Sequence, residues 1–181
     1  IVRSLRIFSR LDESEVKQVD LHEGIDSTLM ILQHRLKEKR DRVAIEIIRD
    51  YDSLPLVECY AGQLNQVFMN IIGNAIDALE EMLEKSPDHQ PKITIRTEKV
   101  DSDWVGIAIA AIGFGIREWV LQTIFNPCFT KKAVGKGTGM GMSISYQIVT
   151  EKHGGKLNCF STPNVGTEFI IQIPIHAPSD H

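Results

Sequence analysis

Cysteine is scarce in this chain: Cys59, Cys128 and Cys159 are the three in 181 residues, far apart and with no C-x-x-C pair. An odd number at such spacing supports neither a disulfide framework nor a zinc site, and reads as free thiols in a reducing cytoplasm. Any excess of basic charge is missing too. Lys and Arg number 20 against 24 Asp and Glu, a net charge of −4, which excludes nucleic acid as a general partner. No apolar run approaches the span of a bilayer, the most apolar being Ile107 to Ile112, and the opening IVRSLRIFSR is too charged for a signal peptide. Internal repeats and low-complexity tracts are also absent. With 43% apolar and 24% charged residues, the chain can bury a full core, and one domain with a short appended piece is expected.

What the chain does have is a glycine-rich stretch, GKGTGMGMS from Gly135 to Ser143, with glycine at every second position. Glycines so dense remove side chains and permit positive φ, so that successive backbone N–H groups can converge on an anion. The next residues carry Met142, Ile144, Ile148 and Val149 and end at Gly154 and Gly155, the pattern of a helix with a glycine stop. A helix N-terminus with bare amides favours phosphate, and Lys131, Lys132 and Lys136 add positive charge on the approach. Neither common phosphate motif fits. Gly135-Lys136 is followed by Gly137 where a Walker loop needs Ser or Thr, and G-x-G-x-x-G places Met140 or Met142 at its last position.

From the start, Ile1, Leu5 and Phe8 form an i, i+4, i+7 seam that asks for a partner helix, so the chain is expected to begin inside an element. A short edge strand is predicted within Val16 to Leu21, and a helix from about Glu23 to Lys39 with Ile25, Leu29, Leu32 and Leu36 inward. Val43 to Ile48 and Leu54 to Val57 read as extended, the second broken by Pro55. The longest helix runs from about Gly62 to Lys85, with Leu64, Val67, Phe68, Ile71, Ile72, Ala75, Leu79 and Leu83 as its core stripe. Asn70, Asn74 and Asp77 share another face at i, i+4, i+7. Asparagine is a poor helix former, and an amide oxygen suits a hard cation such as Mg²⁺, so this stripe suggests a task. Hairpins are expected from Lys92 to Ala110 across Asp101-Ser102-Asp103, and from Lys156 to Ile173 across Thr162 to Val165; between them lie a short helix, Arg117 to Thr123, and an apolar turn, Ile124 to Phe129. The tail from His176 reads as polar and frayed. Helices alternating with hairpins indicate an α+β, two-layer α/β sandwich, one mixed sheet with helices on one face.

Four segments in order resemble the boxes of sensor histidine kinases: QVFMNIIGNAIDAL (Gln66 to Leu79) the N box, IGFGI (Ile112 to Ile116) the G1 box, IFNPCFTKK (Ile124 to Lys132) the F box, and GKGTGMGMSIS (Gly135 to Ser145) the G2 box. VGTEFIIQIP (Val165 to Pro174) is similar to their closing Gly-Thr segment, and the likeness covers nearly everything from Val19 on. It implies the Bergerat ATP-binding fold, with ATP or ADP and Mg²⁺ as cofactors. By this likeness Asn74 holds Mg²⁺, Asn70 and Lys131 or Lys132 reach the phosphates, and Gly135 to Gly141 form an ATP lid that is mobile over Thr130 to Thr138 without nucleotide. The implied ATP-binding set is Asn70, Asn74, Asp77, Ala111, Gly113, Gly115, Ile116, Thr130, Lys131, Lys132, Gly135, Lys136, Gly137, Thr138, Gly139, Met140, Gly141 and Thr167. Asn70 and Lys131 are the catalytic pair within it.

The resemblance also implies partners and boundaries. Residues 1–14 look like the end of a dimerisation and phosphoacceptor helix, 15–176 the catalytic domain, and 177–181 a disordered tail. The implied partners are a response-regulator receiver domain and a second copy through the upstream helices, in the cytoplasm and without membrane insertion of this segment. In the related ATPases the position of Asn70 resembles a glutamate that activates water; an amide cannot accept that proton, which favours phosphoryl transfer over hydrolysis. His22-Glu23 superficially resembles the phosphoacceptor motif but lacks its proline, leaving His22 as a surface histidine at a helix start. His153 is expected at a helix C-terminus, favoured by the dipole.

One departure matters. The family's Asp-x-Gly-x-Gly is here Ala111-Ile112-Gly113-Phe114-Gly115, so the carboxylate that accepts from the adenine amino group is missing. A hydrogen bond to a charged group is worth about 1.5–3 kcal/mol, so its loss weakens binding roughly ten- to a hundredfold. Two readings stay open: a kinase domain, or a degenerate kinase-like module acting through protein contacts.

Overall fold

Asp20 sets the first helix. From extended backbone its side chain accepts the His22 N–H at 2.9 Å, an N-cap that starts α1 (Leu21–Ile31) two residues before the predicted Glu23. The computed structural model describes residues 15–112, 140–162 and 166–177. Before Asp20, β1 (Lys17–Val19) pairs antiparallel with β3 (Val57–Cys59). The helix expected to reach Lys39 breaks at Leu32, where φ −87° and ψ 1° leave the helical range, and a single further turn, α2 (Gln33–Leu36), follows. The break keeps Leu32 buried while Arg35 turns toward the long helix.

Lys39 and Arg42 then exchange backbone hydrogen bonds, closing a tight turn. That turn delays the next strand, so β2 is Glu46–Tyr51 rather than Val43 to Ile48, and Val43 is left exposed. The piece after Pro55 does not join β2. It forms β3 beside β1, and the backbone N–H of Glu58 in turn donates to Ile175 O, tying this small sheet to the end of the chain.

The long helix α3 (Ala61–Lys85) follows, and every residue of its predicted stripe is buried. Two hairpin strands come next, β4 (Lys92–Lys99) and β5 (Trp104–Ile112), joined where Asp101 Oδ1 accepts the N–H groups of Asp103 and Trp104. Helix α4 (Met140–Gln147) continues as a π-helical segment, Ile148–Lys152, and stops at Gly154, whose φ of 65° suits glycine at a helix end. The last hairpin is β6 (Lys156–Thr162) and β7 (Gly166–Pro174).

The five-stranded sheet has the order β2-β4-β5-β7-β6, with β2 parallel to β4 and the other pairs antiparallel. Alternation decides its two faces. Ile93, Ile95 and Thr97 of β4, Val105, Ile107, Ile109 and Ala111 of β5, and Phe169, Ile171 and Ile173 of β7 are buried, while Arg96 and Glu98 between them are exposed. The buried face receives α3, which packs in turn against α1 and α4. A fully buried Ile, Leu or Phe contributes about 1.5–3 kcal/mol, so this stripe and sheet face carry the fold. Where α1 crosses α3 the two helices approach closely at Gly24: a Cβ there would lie 2.5 Å from Asn65 Oδ1, and the Asn65 side chain would have to shift. Cys59 is a free thiol, and burial pushes it up to about 12, so it packs rather than reacts. Among the described residues no helix is long and apolar enough to cross a membrane.

Candidate nucleotide site

The asparagine stripe of α3 meets the helix that the glycine stretch opens. Asn70 Nδ2 donates to Gly141 O at 3.1 Å and to Ser145 Oγ at 3.2 Å. Both amide hydrogens are thereby engaged, which leaves Oδ1 as the uncommitted atom. Ser145 is fully buried and lies one helical turn beyond Gly141, so one face of α4 supplies both acceptors. Gly141 lies against the Asn70 side chain: an added Cβ would stand 3.4 Å from Asn70 Cγ, an ordinary van der Waals contact.

Asn74, one turn further along α3, is half-buried and makes no hydrogen bond among the described residues. Asp77 completes the stripe but faces α2, where its Oδ1 accepts from Arg35 NH2 at 2.6 Å. Arg35 also donates to Glu80, whose other oxygen lies 3.5 Å from Arg42 Nε. Burial works against the Arg35 charge, but the bonds to Asp77 and Glu80 outweigh it and hold the guanidinium more firmly protonated than usual. The sequence pattern had put Asp77 with the two asparagines; the structure adds an ion pair that anchors α2 to α3.

At the end of β5, Ala111 is 6% exposed and sits between Ile93 of β4 and Thr167 of β7 in one cross-strand row. It follows Ile107 and Ile109 on the helix-facing side, as the alternation requires. Thr167 is buried beside it. Gly113, Gly115, Ile116, Thr130, Lys131, Lys132, Gly135, Lys136, Gly137, Thr138 and Gly139 lie outside the described residues, as do the expected helix 117–123, the turn 124–129, the lid over 130–138, and residues 1–14. Met140 opens α4.

The two histidines are each held by more than the sequence expectation supplies. His22 is not a plain surface residue: its ring stacks on Tyr51 at 4.2 Å and 6°, and its Nε2 lies 2.7 Å from Thr97 Oγ1, pinning α1 to the sheet. His153 does stand at the helix end, as the C-cap of the π-helical segment, but it is buried there. Its Nδ1 donates to Ile148 O at 2.8 Å and its Nε2 accepts the Tyr60 N–H at 3.1 Å, a pairing that requires the neutral ring. Burial lowers its pKa, only partly opposed by the Ile148 bond. The dipole argument fails because desolvation of an imidazolium outweighs it. His153 thus joins the end of the α4 segment to the residue before α3.

Residues 60–177 match the family model for histidine kinase-, DNA gyrase B- and HSP90-like ATPases. The chain belongs to that family. Within it, this is a sensor histidine kinase ATP-binding domain. It is 32% identical over 184 residues to the two-component sensor PprA of Pseudomonas aeruginosa, covering 99% of the chain and 19% of that protein. It is 34% identical over 188 residues to the sensor kinase CckA of Brucella abortus, covering 96% of the chain and 18% of that protein. The chain thus spans under a fifth of these relatives. The nucleotide-free catalytic domain of the histidine kinase ThkA superposes with a TM-score of 0.74 at 29% identity, over 90% of the chain and 97% of that domain. The five-stranded mixed sheet with its helices is the fold of histidine kinase catalytic domains.

Sequence reasoning missed Ser145 and Arg35. Ser145 carries a faint signal, a polar residue on the α4 face that Gly141 also occupies. Arg35 carries none, since its partners lie 42 and 45 residues away.

Proposed function

We propose that this chain is the part of a sensor histidine kinase that holds ATP and Mg²⁺ while the γ-phosphoryl group passes to a histidine on an upstream domain, for relay to a response-regulator receiver domain. The observation that carries this reading is the Asn70 contact with Gly141 and Ser145, which joins the asparagine stripe to the glycine-led helix. In the proposed division, residues 1–14 end the dimerisation helix, 15–176 form the catalytic domain and 177–181 the tail. His176 and Ala177 contact the Glu58 carboxylate, at 3.4 and 3.2 Å. The whole protein would dimerise through the upstream helices and work in the cytoplasm.

The donor set suits the metal. Asn74 has a free amide, Asn70 keeps its Oδ1, and two amide oxygens one turn apart match a hard cation that takes few protein ligands and keeps its waters. When bound, Mg²⁺ neutralises phosphate charge as the transition state develops. The protein's own part is positioning. Asn74 would hold the metal; Asn70, fixed by Gly141 and Ser145, with Lys131 or Lys132 would orient the phosphates; and the amides from Gly135 to Gly141 would close over them. Gly113, Gly115, Ile116, Thr130, Lys136, Thr138 and Thr167 would line the remainder, with Asp77 held at its edge by Arg35. Asn70 has no carboxylate to activate water, so transfer is favoured over hydrolysis.

A second reading rests on Ala111, whose methyl group offers adenine no acceptor. On that reading the chain is a degenerate module that works through protein contacts. Calorimetric titration with Mg²⁺-ADP separates the two. Saturable binding supports the kinase reading; no binding by the chain or by its Ala111→Asp variant would leave the interaction module.

A further inference from the structure

A cavity of about 350 Å³ opens between β1, the start of α1 and the first two turns of α3. Its floor is apolar: Leu21, Leu64 and Phe68 are at most 2% exposed, and Leu56, more than half exposed, stands at its lip. One polar side chain interrupts that floor. Asn65 is 3% exposed, lines the cavity, and makes no hydrogen bond among the described residues, and neither of its amide atoms is sealed from the cavity space.

The amide has a definite orientation. Its Oδ1 rests against the α1 backbone at Gly24, 2.5 Å from where a Cβ on that residue would stand. The two N–H hydrogens of Nδ2 are therefore the groups free to bond elsewhere. A second source of donors adjoins it, because α3 begins here without a side-chain cap and Ala61 of its first turn lines the cavity. Leucine would fill the Asn65 position at no desolvation penalty, whereas a desolvated amide without a partner is unfavourable. Asp20 and Glu23 also line the cavity, and their carboxylates disfavour an anion. We infer that this cavity binds a small neutral molecule with an apolar body and a carbonyl-type acceptor, the acceptor taking the Asn65 N–H groups. Its volume is at the lower end of small-molecule sites, which run from about 300 to 1,000 Å³. Asn65 and Asn70 lie about 140° apart around α3, five residues at roughly 100° each, so the cavity is distinct from the nucleotide site and independent of that reading.

The test is an NMR titration of the 181-residue chain with N-acetyl-leucine N-methylamide, a neutral probe carrying both features. Saturable shifts are expected at the Asn65 side-chain amide, Leu21 and Phe68, with a Kd of about 1 mM for so small a ligand. N-acetyl-leucine, the anionic analogue, binds at least about tenfold more weakly if the carboxylates and amide act as argued. Asn65→Leu loses at least about tenfold in affinity while melting no lower than the parent, since an unpartnered amide has been replaced by a hydrocarbon of similar size. Should that variant fail to fold, Leu56→Ala at the exposed lip decides, with binding reduced a few fold at unchanged Tm. Water alone in the cavity gives no saturable shifts. That result, equal affinity for the anionic analogue, or full binding by Asn65→Leu or by Leu56→Ala, would overturn the inference.

Discussion

The Asn70 side chain donates to the backbone oxygen of Gly141, 71 residues later, at 3.1 Å. Through this bond and its companion to Ser145, the first two turns of α4 fix the orientation of an asparagine in the middle of α3. The proposed nucleotide site therefore depends on the packing of two helices as well as on its own side chains.

Ser145→Ala tests that dependence. It leaves one hydrogen of Asn70 Nδ2 without its acceptor at a partly buried site, which costs about 1–2 kcal/mol. Mg²⁺-ADP affinity should fall roughly five- to thirtyfold, with the urea midpoint lowered as well. Unchanged affinity would show that Ser145 does not orient Asn70.

Asn74→Ala should remove the Mg²⁺-dependent part of nucleotide binding and hardly alter stability, because the side chain is half-buried and makes no hydrogen bond among the described residues. Titrating ADP with and without Mg²⁺ checks it. A variant that keeps its Mg²⁺ dependence would move the metal to another residue.

Ala111→Asp should raise Mg²⁺-ADP affinity by roughly ten- to a hundredfold, the worth of a charge-assisted hydrogen bond. Because residue 111 is nearly buried, the new carboxylate is poorly solvated without its partner. Nucleotide should therefore raise the Tm of the variant more than that of the parent. Equal affinities in a side-by-side titration at fixed salt would mean that other groups hold the adenine.

His153 supplies a pH dependence. Its folded pKa lies below the ordinary histidine value of 6.5, so its contribution to stability is complete above that value and is lost as pH falls through the folded pKa. The slope cannot exceed about 1.4 kcal/mol per pH unit for one proton. His153→Gln should be less stable than the parent at pH 7.5, and urea midpoints measured down to pH 5 should show the gap closing. A constant gap would mean that His153 takes up its proton as easily folded as unfolded.

Much of this protein was legible along the chain because periodicity is local. The 3.6-residue recurrence from Leu64 to Leu83 marks the buried face of α3, and the alternation from Ile107 to Ala111 marks the inward side of β5, without reference to any distant residue. The stop at Gly154 likewise ends a helix by backbone chemistry alone, and the order of the boxes is a property of the sequence. Pairing is a different matter. Whether the segment after Pro55 joins β2 or β1, why β2 lies parallel to β4, and why the first long helix breaks at Leu32 depend on which surfaces bury one another. The same holds for single side chains. His153 is neutral because Tyr60, 93 residues earlier, donates to it in a site that water does not reach, and Asp77 is tied to Arg35 because a second helix crosses there. Spacing assigns a residue to a face of its own element; desolvation and hydrogen bonding assign its partner, and those exist only once the chain has closed on itself.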